Sequence, residues 1–211
     1  MKQKTRRPFS VGPVMIQLSL LFSSLVIAFP FLWMLTNSIK TKSEIWQVPP
    51  KLLPSVPQWQ NYVDALSDGI FFRYMWNSAY TSIIITAIVL VNSAMFAYAL
   101  TNIRFKGKVL LVAVIMVTYI MPAVTTYVPA YVIISRMGLI NTHAGYIISS
   151  SASIFNIFFF RTVFQQISPG VLEAARIDGA GHHTILWRIV APMSASSFAT
   201  LGLLSFLGGY N

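Results

Sequence analysis

Charged residues along this chain are confined to short clusters, and five long uncharged runs lie between them, at 8–39, 74–103, 109–135, 137–160 and 189–211. A helix that crosses a hydrocarbon core of ~30 Å needs ~20 mostly apolar residues, and the first four runs are long enough. Within them the pattern predicts spanning helices near 14–35, 78–102, 109–134 and 144–165. The apolar part of the fifth run starts near Ser194. It supplies ~18 residues, ~27 Å of helix, so a partial fifth span over 194–211 is expected. The fold class that follows is all-α: a polytopic membrane helix bundle of four complete spans plus an incomplete fifth, in one transmembrane domain over 1–211.

Composition sharpens this picture. Hydrophobic side chains make up 55% of the 211 residues and charged ones 9%, against about a quarter in an ordinary soluble domain. Too few charges are present to cover a globular surface, which excludes a freely soluble enzyme and a disordered tail. With no cysteine there is no disulfide framework, Cys-based metal site or thiol nucleophile.

The net charge of +10 is largely a matter of topology. With the N-terminus inside, the inner segments carry Lys2, Lys4, Arg6, Arg7, Arg104, Lys106, Lys108, Arg161, Arg176 and Arg188. The outer ones carry Lys40, Lys42, Lys51 and Arg73 in one long loop, which also holds Glu44, Asp64 and Asp68, and Arg136 in a short one. The positive-inside rule favours a cytoplasmic N-terminus, and no nucleic-acid partner is called for. A cleaved signal peptide is disfavoured, because its apolar core is ~7–15 residues and the first run is longer and ends in Phe29-Pro30-Phe31-Leu32-Trp33.

The outer loop over 37–77 contains Pro49, Pro50, Pro54 and Pro57, which exclude regular helix there and give an extended path. Its Trp46, Trp59 and Trp76 suit packing on that path or an interfacial aromatic belt. Pro122 and Pro129 each remove a helical hydrogen bond, so the third span is expected to be kinked or broken.

The inner loop over 167–192 has its own signals. Ser168 is a candidate N-cap, Pro169 a first helical residue and Gly179 a left-handed stop, giving a helix over 169–178. Glu173 sits near the favourable helix end, Asp178 at the unfavourable one, and Arg176 between them. A helix this short is unstable alone. From the residues alone, a docking element completed by a partner and a plain interfacial connector both remain open.

Glu173-Ala174-Ala175, Gly179, Ile189 and Pro192 reproduce the spacing of the EAA signature, and the chain resembles permease subunits of ATP-binding-cassette importers. Glu173–Ala180, Met137–Thr142, Trp76-Asn77-Ser78 and Ala97–Gly107 are similar to the carbohydrate-uptake branch, the maltose-transporter type. Ala191 departs from the leucine usual before the proline, which implies trimmed packing with the helix retained. The resemblance implies one half of a heterodimeric pore in a bacterial inner membrane. Its partners would be a second permease subunit, a cytoplasmic ATPase dimer, an external solute-binding protein and membrane lipid. It further implies that Glu173, Ala174, Ala175 and Gly179 couple to the ATPase, with Arg176 and Asp178 as flanking contacts. The loop around 59–76 would meet the binding protein. ATP hydrolysis would belong to the partner, since no phosphate-binding Gly-x-x-x-x-Gly-Lys-Ser/Thr loop occurs here, and no cofactor is implied. The family's fifth span is incomplete here and its sixth absent, so the chain is expected to be C-terminally truncated, as a fragment or a shortened gene product.

His182-His183 lacks a carboxylate at ligand spacing and His143 falls on the opposite side, so these read as ordinary loop residues. Serines at 149–151 and 194–197 suit close helix packing. Asn92, Tyr119 and Tyr127 are polar groups at span depth, and are candidates both for a solute path and for helix packing. A sugar importer subunit is the leading function. The rivals are a membrane anchor that docks an ATPase without transporting, and a permease for a non-sugar solute. A membrane-embedded hydrolase would need paired acids or histidines at one depth, and the pattern shows none.

Overall fold

The computed structural model describes residues 11–67, 69–122 and 124–210, with side chains from Met15 onward. The basic cluster at 2–7, Asp68 and Asn211 lie outside these residues. Among the described residues every regular element is helical. Two helices are long and apolar enough to cross a membrane, or up to five if each bent pair is one span. The chain divides into two compact units, up to Phe72 and from Arg73.

The first unit is built on α1 (Val11–Ser38), apolar on all sides. Hydroxyls of Ser19, Ser23, Ser24, Thr36 and Ser38 donate to carbonyls one turn back, which satisfies them where water is excluded. Beyond α1 the chain folds back around Lys40. Its ammonium group is buried, donates to Asn37 Oδ1 at 2.8 Å and to the Lys51 carbonyl at 2.6 Å, and lies 4.5 Å from the centre of the Trp33 ring. Asn61 Nδ2 donates to the carbonyls of Ser38 and Lys40, both at 3.0 Å. A short α2 (Lys42–Ile45) carries a capping box between Thr41 and Glu44, and α3 (Gln60–Ser67) closes the segment. As the prolines require, no helix forms between them.

The helix that carries the chain into the second unit, α4 (Ile70–Asn102), begins eight residues before the expected 78. Arg73 interrupts the uncharged run without ending the helix, since one cation near a helix end can extend towards water. The third span is broken, as expected, into α5 (Lys108–Ile120) and α6 (Val124–Arg136), 106° apart. The break falls at Met121, extended at φ −65° and ψ 135° as a residue before proline must be, whereas Pro129 sits inside α6.

The fourth segment differs from the single helix predicted over 144–165. It forms α7 (His143–Ser149) and α8 (Ile154–Phe164), bent by 45°. The serine run explains the break: Ser153 Oγ accepts from the Asn156 amide at 3.2 Å and starts a new helix. The link between α6 and α7 is equally local. Gly138 at φ +69° ends α6, and Thr142 Oγ1 accepts from the Gly145 amide at 3.0 Å to start α7.

After α8 come α9 (Pro169–Ile177), α10 (His182–Ile185), a π-helical turn over Leu186–Val190, α11 (Ala191–Met193) and α12 (Ala195–Tyr210). In a regular α-helix the Pro192 ring would clash with the Arg188 carbonyl; the wider π turn directly before α11 relieves that clash. The segment then bends by 84° at Ser194 into α12. Asn156, buried on α8, donates to Ser205 Oγ on α12 at 3.0 Å, and the Phe160 and Phe198 rings lie 4.4 Å apart.

Phe160 is fully buried and also stacks on Phe164. Phe160→Ala is expected to cost about 3 kcal/mol, read as a lower unfolding midpoint in detergent; an unchanged midpoint would remove Phe160 from the core. In the first unit, amide and hydroxyl hydrogen bonds from Ser55 and Thr41 hold the Glu44 carboxyl down from its usual 4.5 to about 2. A depressed carboxylate stabilises its fold fully above the usual value and loses that contribution as pH falls through the lowered one. Carboxyl NMR should therefore show Glu44 titrating near 2, with the contribution fading between 4.5 and 2. A midpoint near 4.5 would mean that these hydrogen bonds are absent.

Candidate functional site

The sequence places its strongest motif on α9, and the geometry there is that of a helix with two unlike sides. Leu172 and Ala175 are buried. They belong to one apolar cluster with Ala94, Ala97 and Tyr98 of α4, Phe160 and Phe164 of α8, and Ile185, Leu186, Val190 and Leu201 that follow. Glu173, Ala174 and Ile177, which helical spacing puts on the other side, are exposed, with Ile177 nearest its centre; Val171 and Asp178, beside Ala175 by the same spacing, are exposed at its border. Ile177 is 86% exposed, far more than an aliphatic side chain needs to be when a core lies beside it.

The ends of α9 follow from its residues. Ser168 occupies the N-cap, but its hydroxyl caps nothing; Pro169, which has no amide hydrogen to satisfy, starts the helix instead. At the other end Gly179 turns left-handed at φ +82°. Its amide donates to the Arg176 carbonyl at 3.0 Å, and the Ala180 amide to the Ala175 carbonyl at 2.9 Å. This double bond pattern is the Schellman stop, and it forces the chain back towards the core, where Ala180 packs. Asp178 is the C-cap.

Glu173 and Arg176 lie on the flank between the two sides. They line a cavity of about 390 Å³ with Thr101, Asn102, Arg104, Lys108, Phe164, Gln165, Ile167, Pro169 and Leu172. Arg176 Nη2 donates to the Asn102 carbonyl at the end of α4, at 3.5 Å, where a cation suits the helix dipole. The six motif residues are thus brought together on one short helix and its stop, while their side chains face different surroundings.

The three candidate solute residues are held separately. Asn92 Nδ2 donates to the Ser151 carbonyl at 3.2 Å, in the break between α7 and α8. Tyr119 leans on Phe158, ring centres 6.1 Å apart, and Tyr127 is exposed on α6. His182 Nδ1 meets the hydroxyl of buried Tyr98 at 3.1 Å, linking α10 to α4, and His143 meets Tyr80. Among the described residues no three histidine or acidic side chains gather as metal ligands would. Sequence reasoning used Arg104 and Lys108 only for topology and missed that they share a cavity with α9. Their spacing around the α4–α5 turn was the available signal.

Comparison with known proteins bears on the same region. Residues 93–211 match the family model described as binding-protein-dependent transport system inner membrane component. The chain is 31% identical over 194 residues to the diacetylchitobiose uptake system permease protein NgcG of Streptomyces coelicolor, covering 91% of this chain and 64% of that protein. It is 30% identical over 200 residues to the sn-glycerol-3-phosphate transport system permease protein UgpE of Brucella abortus, covering 92% and 71%. Among solved structures, a crystal structure of a bacterial ABC transporter involved in the import of the acidic polysaccharide alginate superposes with a TM-score of 0.76. That match has 27% identity and covers 97% of this chain and 74% of that one.

A Cβ at Gly179 would meet nothing within 4 Å, so the backbone alone sets the cost of replacing it. Gly179→Ala is expected to destabilise by about 1 kcal/mol, and Gly179→Asn by less, in thermal unfolding of the detergent-solubilised protein. An alanine variant as stable as the parent would contradict the left-handed stop.

Proposed function

This chain belongs to the family of inner membrane components of binding-protein-dependent transport systems, and from that premise we propose that it is a membrane-spanning subunit of an ATP-driven importer. The solute is a sugar or a related polyol: the relatives are named for diacetylchitobiose and sn-glycerol-3-phosphate, and a structural neighbour for alginate import. The subunit sits in a bacterial inner membrane as a multi-pass protein with its N-terminus in the cytoplasm. It pairs with a second permease subunit, receives solute from an external binding protein at the outer segment around 59–76, and contains no ATP chemistry of its own.

The observation that carries this reading is the two-sided α9. An exposed aliphatic side chain beside small Ala174 offers a low apolar surface to a partner, and the buried side is locked to three long helices. We assign the exposed side, with Glu173 and Asp178 at its borders, to a cleft on a cytoplasmic ATPase dimer. When nucleotide closes that dimer, α9 moves. A close-packed cluster resists compression, so the displacement passes to α4, α8 and α12 rather than dissipating in side-chain motion. Gly179 and Ala175 act by holding the helix on the core, and Arg176 by tying it to the end of α4. Asn92, Tyr119 and Tyr127 are proposed to border the solute path, with Asn92 beside the α7–α8 break.

Replacing Ile177 by Lys puts a charge in the middle of the docking face while leaving the buried side intact. The full-length protein should insert normally, lose co-purifying ATPase by at least about tenfold, and cease uptake. Full ATPase recovery with normal uptake would overturn the assignment of this face.

A further inference from the structure

The cavity beside α9 is chemically unlike the docking face. Residues 172, 173 and 176 lie on the side of the helix away from 171, 174 and 178, so the cavity opens away from Ala174 and Asp178. Three cations, Arg104, Lys108 and Arg176, line it against one carboxylate, Glu173. Lys108 Nζ donates to the Ile103 carbonyl at 3.3 Å and Arg176 to the Asn102 carbonyl, so their hydrogen bonds go to neutral partners; Arg104 makes none among the described residues. A fourth donor, Asn102 Nδ2, is buried in the same wall and has no partner. Buried donors are nearly always paired, so an orphan beside cations whose only acceptors are neutral marks a missing acceptor.

The rest of the lining is Thr101 and Gln165, which are polar, and an apolar strip of Phe164, Ile167, Pro169 and Leu172. The cavity lies where α4 and α8 end and α5 and α9 begin, the level at which spanning segments meet water. A free phosphate would need only the cations, whereas this lining adds an apolar wall continuous with the core cluster through Phe164 and Leu172.

We propose that this cavity holds the phosphate headgroup of an anionic phospholipid of the inner leaflet, with its acyl chains running along the apolar wall. The choice of leaflet rests on the reading that α9 is cytoplasmic. Anionic lipids are attracted to cationic pockets between helices at that face, by about 1 kcal/mol per Lys or Arg. Arg104 and Lys108 supply the charge, Asn102 the buried donor and Arg176 a bridge to the coupling helix. An occupied cavity would fix α9 against the end of α4.

The test is native mass spectrometry of the full-length protein, purified in detergent and supplied with phosphatidylglycerol or phosphatidylcholine. Phosphatidylglycerol is expected to be retained selectively. Retention should fall by about fivefold for each charge lost in Arg104→Gln and Lys108→Gln. It should be restored in Arg104→Lys with Lys108→Arg, and unchanged in Lys42→Gln with Arg73→Gln. Equal retention by the parent and the double Gln variant overturns the proposal. Displacement by millimolar inorganic phosphate overturns it in favour of a free-phosphate site. Loss of co-purifying ATPase with lipid retention unchanged overturns it in favour of a protein contact. Ile177→Lys separates the two readings, because it should release ATPase and leave lipid retention intact. If ATPase stays bound to that variant while the lipid results hold, the docking assignment fails alone.

Discussion

The burial of Leu172 and Ala175 against α4 and α8 is the contact on which the functional reading depends. A helix of nine residues has too few internal hydrogen bonds to persist in water, so α9 exists because one side of it is part of the core. Burying Leu172 alone is worth about 2 kcal/mol, enough to hold a short helix in one orientation. That orientation leaves Ala174 and Ile177 outward. The same packing therefore creates both the exposed surface and the route by which force on it reaches the spanning helices.

The surrounding irregularities serve this arrangement. Gly179 turns the chain back so that Ala180 packs, and His182 is tied to Tyr98 on α4. The π turn and Pro192 then redirect the chain into α12, which returns to α8 through Phe198 and Asn156. Each departure from regular helix thus delivers a side chain to the cluster around Phe160. The spacing between Gly179 and Pro192 measures the length of that return path.

Much of this was legible in the sequence, because membrane helices leave a plain signal: long uncharged runs, and at Pro122 a proline where the third span breaks. The helical class, the break at Pro122 and the stop at Gly179 are all local consequences of residue type. Three features were not. Arg73 lies inside α4 although it ended a run, because a charge at a helix end does not end the helix. The serines at 149–153 split a segment that hydropathy reads as continuous, because their hydroxyls offer new caps without changing the average. Lys40 read as one more outer cation, yet it is buried between Trp33 and two oxygen acceptors, an arrangement set by how the chain folds back between Trp33 and Lys51. The candidate site divides in the same way. Motif spacing located α9, but which of its residues face outward depends on the core, and that Arg104 and Lys108 share a cavity with it depends on how α4 and α8 end.

The central claim is that α9 presents one side to a partner ATPase and the other to the core. The chain has no cysteine, so single cysteines placed by Ala174→Cys and by Ala175→Cys in the full-length protein give clean attachment points for a short photo-crosslinker. In membranes containing the ATPase, the account predicts crosslinking to it from position 174 and none from position 175, which lies under the helix. Crosslinking from 175 but not 174, or equally from both, would contradict it.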